Sequence, residues 1–425
     1  MIYKSTRNEK NNVSLSTAIL EGLAKDGGLF VPEYLPKIDI SKINPDGEFY
    51  KLAYEVIRPF ADGDIIEDEL LDVCKSAFDF PIELSFLYSN DKAILELYHG
   101  PTSAFKDFGA RFLASIMSAI LSHKHEHKTI LVATSGDTGS AVGSAFHNKK
   151  NIDVIILYPK GLVSSIQQAQ LTSFDNNVKT MEVNGTFDDC QKMVKDAFVD
   201  RALDSKYNFS SANSINIARL LAQMTYYFYA SIKFYNKSGK KPIIIVPTGN
   251  AGNVCAALWA KSCGAPIHSL FLSCNSNHSI SDYIRTGKFS PHPTIVTLAN
   301  AMDIGAPSNM ERLMALYPSF YEFRSNINAE SVDDDKIKST IKDYYARYNK
   351  FICPHTACAV YSDKTHFDGL PTIVVSTADA AKFANIYEDL LGTVPPMNDN
   401  LKKMINHKQN YKNIDKGYKN IFREG

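Results

Sequence analysis

Residues 130–146, ILVATSGDTGSAVGSAF, and residues 243–260, IIIVPTGNAGNVCAALWA, share one design. Each runs from a continuous apolar strand through a glycine-rich turn into the start of a helix. Working outward, short β-branched runs recur as AILELY (93–98), VIILYP (154–159), VKTMEV (178–183), SLFLS (269–273) and TIVVST (372–377). Helical periodicity fills the intervals, over 139–149, 186–199, 215–235, 252–262 and 333–348. Apolar strands alternating with helix-length segments predict βαβ units, a parallel sheet and helices covering both faces. The fold class is α/β. Residues 1–90 read differently, with helical spacing at 11–25, 51–57 and 68–78 and few strand signals, so they predict a helical N-terminal unit. The Asn- and Lys-rich tail after Pro396 reads as a loose cap.

A length of 425 residues suggests roughly two to three domains of about 100–200 residues. The 46 basic and 46 acidic side chains cancel, which gives no reason to expect a nucleic-acid partner. No apolar run approaches the ~20 residues that span a bilayer, and the opening MIYKSTRNEKNN has no apolar signal-like stretch. Seven scattered cysteines suit a reducing compartment better than a disulfide framework. The expectation is a cytoplasmic protein with no membrane partner.

Four segments could carry chemistry. In the loops 134–138 (Thr134, Ser135, Gly136, Asp137, Thr138) and 249–253 (Gly249, Asn250, Ala251, Gly252, Asn253), glycines allow close approach and helix-start N–H groups favour anions. Neither loop has Walker A or G-x-G-x-x-G spacing, and a plain strand–helix turn remains the alternative. Lys106 lies between Phe105 and Phe108. It is either a desolvated, nucleophilic amine or an ordinary lysine with its head in water. In the segment 212–219, Ser214 and Asn216 suit helix capping, and Arg219 suits a phosphate or a surface carboxylate. The histidines at 123, 125 and 127 read as a solvated turn, and CPHTAC at 353–358 lacks the paired spacing of a zinc site. No metal is expected.

Together, HGPTSAFKDFGARF (99–112), ATSGDTGSAV (133–142), ANSINIARLLAQMTYYF (212–228), VPTGNAGN (246–253) and STADAAKF (376–383) resemble the threonine synthases. These are pyridoxal-phosphate enzymes of the tryptophan-synthase-β-like fold, fold type II. The opening GLFVP at 28–32 also resembles that family's N-terminal domain. The resemblance implies two three-layer α/β domains with mostly parallel sheets plus a helical N-terminal domain. Its implied boundaries are 1–90 for the N-terminal domain and 91–425 for the cofactor-dependent region. Within the latter, about 100–210 forms a smaller domain, about 211–395 a larger one, and 396–425 a tail.

The resemblance also implies roles. Lys106 matches the lysine that carries pyridoxal 5'-phosphate as an internal Schiff base and then removes the substrate Cα proton. Gly249, Asn250, Ala251, Gly252 and Asn253 match the loop that holds the cofactor phosphate. Thr134, Ser135 and Thr138 match the loop that receives the substrate carboxylate, with Asp137 near the cofactor's phenolic oxygen. Ser214 and Arg219 match residues that bind the substrate phosphate, and Thr377 matches the hydroxyl facing the pyridine nitrogen. The implied reaction converts O-phospho-L-homoserine and water to L-threonine and phosphate, and oligomeric state stays open. The alternatives are a phospho-lyase releasing 2-oxobutyrate from the same substrate, or a non-catalytic binding module, for which an intact Lys106 has no use. One departure is local: where the family often reads Thr-Ala-His-Pro-Ala-Lys, this chain has Thr377-Ala378-Asp379-Ala380-Ala381-Lys382.

Overall fold

The computed structural model describes residues 1–8, 10, 12–87 and 91–423. The α/β expectation holds: two sheets carry the fold, with helices on both faces. Lys128–Ala133, Ile152–Pro159, Val178–Val183, Phe209–Ser210 and Lys412–Ile414 form a wholly parallel five-stranded sheet. Its spatial order is 412–414, 178–183, 152–159, 128–133, 209–210. The second sheet runs 327–331, 269–274, 243–247, 372–376, 92–96, 83–86. All its pairs are parallel except the edge pair Glu83–Phe86 with Lys92–Glu96.

The continuous apolar strands follow from burial on both faces. In Lys128–Ala133 and Ile152–Pro159, Ile130, Val132, Val154 and Ile156 enter one core, while Leu131, Ile155 and Leu157 enter another. In Ile243–Pro247, Ile244 and Val246 join that first core, while Ile243 and Ile245 enter a third. The first core therefore lies between the two sheets. It also takes Phe108, Phe112 and Ile116 from the helix Lys106–Lys124 and more than half of the residues of the helix Ile217–Ser238.

The N-terminal unit is not purely helical. Tyr3–Ser5 and Phe30–Pro32 pair antiparallel beside the helices Leu15–Glu21, Phe49–Ile57 and Leu70–Ala77. Position 11, in the segment expected to be helical, lies outside the described residues, as does the expected boundary at 90. Phe49 meets Phe78 at 5.5 Å and Phe108 at 5.7 Å, so aromatic edges seat this unit on the Lys106 helix. The tail does more than cap: Lys412–Ile414 adds a parallel edge strand to the smaller sheet. The helix expected at 139–149 begins earlier, as Asp137–Phe146, because Gly136 takes φ +138° at its N-cap. Asp137 and Thr138 thus occupy a helix start rather than a loop.

Candidate active site

Four strand ends converge. The chain segments leaving Lys92–Glu96, Lys128–Ala133, Ile243–Pro247 and Thr372–Ser376 deliver Lys106, Asp137, the 249–253 turn and Thr377. Ligands of open α/β sheets bind at these carboxyl ends.

Lys106 is placed by a knotted turn. The buried Asp107 carboxylate accepts from Thr102 N at 2.8 Å and Thr102 Oγ1 at 2.6 Å. A Cβ on Gly100 would lie 2.5 Å from Asp107 Oδ2, so glycine is required there. Ser103 adopts φ +56°, and Phe105 N donates to the Thr377 carbonyl at 2.8 Å. Lys106 then opens the helix Lys106–Lys124, half-buried, with no hydrogen bond or ion pair from its amine among the described residues. Burial pushes that amine down to about 8, with Lys382 and Arg219 adding to the fall and Asp137 opposing it.

Opposite stands Asp137. Burial would raise its carboxyl, but Lys382 and Lys106 hold it well below the usual carboxylate range. Lys382 Nζ lies 2.8 Å from Asp137 Oδ1, both side chains almost wholly buried, and Gln167 Nε2 donates to the same oxygen at 3.2 Å. Thr134 spends its hydroxyl on its own loop, accepting from Gly136 N at 3.0 Å and Gly139 N at 2.9 Å. Ser135 is exposed and Thr138 half-buried, and neither hydroxyl has a hydrogen-bond partner among the described residues.

The 249–253 turn closes a third side. Ala251 sits at φ +59° as N-cap of the helix Gly252–Cys263, which has no side-chain cap. Asn250 Nδ2 donates to Ser214 Oγ at 2.6 Å, joining this turn to the 212–219 segment. Asn216, not Ser214, caps the helix Ile217–Ser238 through Ala218 N at 3.1 Å. Arg219 is buried, with Nη1 on the Ala212 carbonyl at 2.6 Å. Burial pushes its guanidinium down to about 10.

The residues fit an anionic ligand. Among the described residues, Arg219 Nε, Asn253 Nδ2 and His355 Nδ1 are buried donors without partners. Such groups are rare without a ligand to satisfy them. Lys106, Lys382 and Arg219 also outweigh the carboxylates Asp107 and Asp137.

The structure sets Lys106 in the fields of Asp137 and Arg219, bonds the backbone beside it to Thr377, ties Ser214 to Asn250, leaves Ser135 exposed, and adds Lys382 and His355 to the group. Lys382 carries no role in the family resemblance, although a lysine in an Ala-Ala-Lys-Phe run signals burial. His355 lies in the CPHTAC segment, whose spacing signals nothing beyond the absence of a zinc site; its Nε2 accepts from Ala301 N at 3.1 Å, which leaves the proton on Nδ1. Burial lowers this imidazole to about 4. Asp379 is engaged locally: it accepts from Ala381 N at 2.8 Å and from Asn398 Nδ2 at 2.7 Å.

Residues 94–376 match the family model of pyridoxal-phosphate dependent enzymes, the class that the fold and the anion-seeking cleft define. Residues 2–78 match the model of the threonine synthase N terminus. The chain belongs to the threonine synthase family. It is 40% identical to threonine synthase of Buchnera aphidicola subsp. Schizaphis graminum, over 91% of this chain and 90% of that one. Threonine synthase from Escherichia coli superimposes with a TM-score of 0.90 at 33% identity, covering 99% of this chain and 98% of that one. The pyridoxal-phosphate-bound enzyme from Brucella melitensis gives 0.92 at 31% identity, with coverage of 99% and 97%.

Proposed function

We propose that this chain converts O-phospho-L-homoserine and water to L-threonine and phosphate, with Lys106 as its attachment and proton-transfer residue. The observation that carries this reading is the desolvated Lys106 amine facing Asp137, beside the unpartnered Arg219 Nε. Pyridoxal phosphate, when bound there, supplies the electron sink for breaking the Cα–H bond. An amine near 8 keeps a usable uncharged fraction at neutral pH, so Lys106 serves first as nucleophile and then as general base at Cα.

The N–H groups of Gly252 and Asn253 at an uncapped helix start, with Gly249, Asn250 and Ala251, would hold the cofactor phosphate. When bound, the cofactor would have Asp137 for its phenolic oxygen and the neutral hydroxyl of Thr377 for its pyridine nitrogen. Ser135 and Thr138, whose hydroxyls have no partner among the described residues, would receive the substrate carboxylate, while Thr134 braces the turn into the Asp137 helix. Arg219 and Ser214 receive the substrate phosphate, where a guanidinium's planar fork outperforms an ammonium. All seven cysteines are buried and free, which suits the cytoplasm. No helix among the described residues is long and apolar enough to cross a membrane.

Borohydride reduction of the cofactor-loaded protein should leave a pyridoxyl mass tag on the Lys106 peptide. A tag on another lysine contradicts the assignment. Arg219→Leu should retain the cofactor yet lose most activity on O-phosphohomoserine, while slow side reactions with serine suffer far less. Equal losses on both would contradict a phosphate-specific role.

A further inference from the structure

Two lysines stand before one carboxylate, and only one takes it. Lys382 Nζ is 2.8 Å from Asp137 Oδ1 and 2.9 Å from the Thr102 carbonyl, with its side chain wholly out of solvent. The short helix Ala380–Phe383 aims it there, its N-cap Asp379 accepting from Ala381 N. Thr102 is in turn the residue whose N–H and hydroxyl bind Asp107, next to Lys106. Lys382 therefore joins the Asp137 helix to the turn that presents Lys106. Lys106 itself pairs with nothing among the described residues.

We propose that Lys382 is a positioning residue that engages Asp137 so that Lys106 is left an available amine instead of being locked into a buried ion pair. A buried carboxylate takes the nearest cation, and an ammonium held by a carboxylate is a poor nucleophile and no base. With Lys382 in place, Asp137 remains ionised and already satisfied, and the second positive charge discourages protonation of Lys106. The other groups facing this amine do not substitute for it. Arg219 acts in the same direction but has no contact with Asp137 among the described residues, and His355 is uncharged at neutral pH. Asp107 is engaged by Thr102. This inference rests on the reading of Lys106 as the reactive amine.

The test is competitive acetylation of the full-length chain freed of cofactor, following the Lys106 peptide by mass spectrometry across pH. The unmutated protein should show a midpoint near 8. Lys382→Met should move it upward by about one pH unit or more, cutting the free-amine fraction at pH 8 about fivefold. Lys382→Arg, which keeps the cation, should stay close to the unmutated value, and Asp137→Asn should shift the midpoint downward. An unmoved midpoint in Lys382→Met, or an equal shift in Lys382→Arg, overturns the proposal. Should Lys382→Met not fold, the other two variants decide, and an unmoved Asp137→Asn overturns it. Borohydride labelling separates the two readings: failure to tag Lys106 in the unmutated protein removes the functional reading, while the acetylation midpoints still judge Lys382.

Discussion

At Asp107, burial and hydrogen bonding oppose each other, and burial wins. Its carboxyl is pushed up to about 6 despite two hydrogen bonds from Thr102. A folded-state value above the unfolded one means that this group's contribution to stability is fully present below about 3.8 and lost as pH rises through about 6. Asp107→Asn removes that titration, so its denaturant midpoint should fall less between pH 4 and 6 than the parent's. Parallel profiles would show that Asp107 does not titrate there. The residues that sequence alone exposed, Lys106 and the two glycine turns, stand out because backbone geometry or an aromatic setting singles them out. Lys382 and His355 are not legible in that way, since their importance comes from tertiary burial beside Asp137. Nothing in a lysine or histidine spelling reports which carboxylate it will meet.

Among the elements, the helix start at Gly252 offers a clean probe. A Cβ there would meet nothing nearer than Asn309 Nδ2 at 3.3 Å, whereas one on Gly249 would lie 2.7 Å from Met302 Cα. Gly252→Ala should therefore fold and melt close to the parent while releasing the cofactor more readily, measured by equilibrium dialysis. Unchanged retention would assign this glycine to packing alone. Asp379 belongs to the same scale: it caps Ala380–Phe383 and holds Asn398, whose amide also reaches Ser103 Oγ at 2.9 Å. Asp379→Ala should cost about 1–2 kcal/mol in a denaturant titration. The long helices and apolar strands were legible because burial on two faces imprints a continuous apolar pattern. Ile327–Ser331 was not, because this edge strand is mostly polar and only partly buried. Phe209–Ser210 and Lys412–Ile414 are too short to carry any periodicity.

Across the whole molecule, one buried arginine ties the N-terminal unit to the cleft. Arg312 donates from Nε and Nη2 to the Phe30 carbonyl at 3.1 and 2.9 Å, from Nη2 to the Ile215 carbonyl at 2.6 Å, and from Nη1 to Asn309 Oδ1 at 2.8 Å. It fixes the 212–219 segment, and hence Ser214 and Arg219, against the first strand pair. Arg312→Met leaves the buried Phe30 carbonyl and the part-buried Ile215 carbonyl without this donor and should lower stability by about 3 kcal/mol. The same variant should weaken activity on the phosphorylated substrate before it weakens cofactor binding. Forming threonine rather than 2-oxobutyrate, as proposed, requires that water be held against the substrate Cβ when phosphate leaves, a matter of positioning. Incubating the purified, cofactor-loaded protein with O-phospho-L-homoserine and measuring phosphate, threonine and 2-oxobutyrate together tests it most directly. Threonine should match phosphate in near-equal amount, with 2-oxobutyrate a minor product; 2-oxobutyrate tracking phosphate with threonine absent would contradict the account.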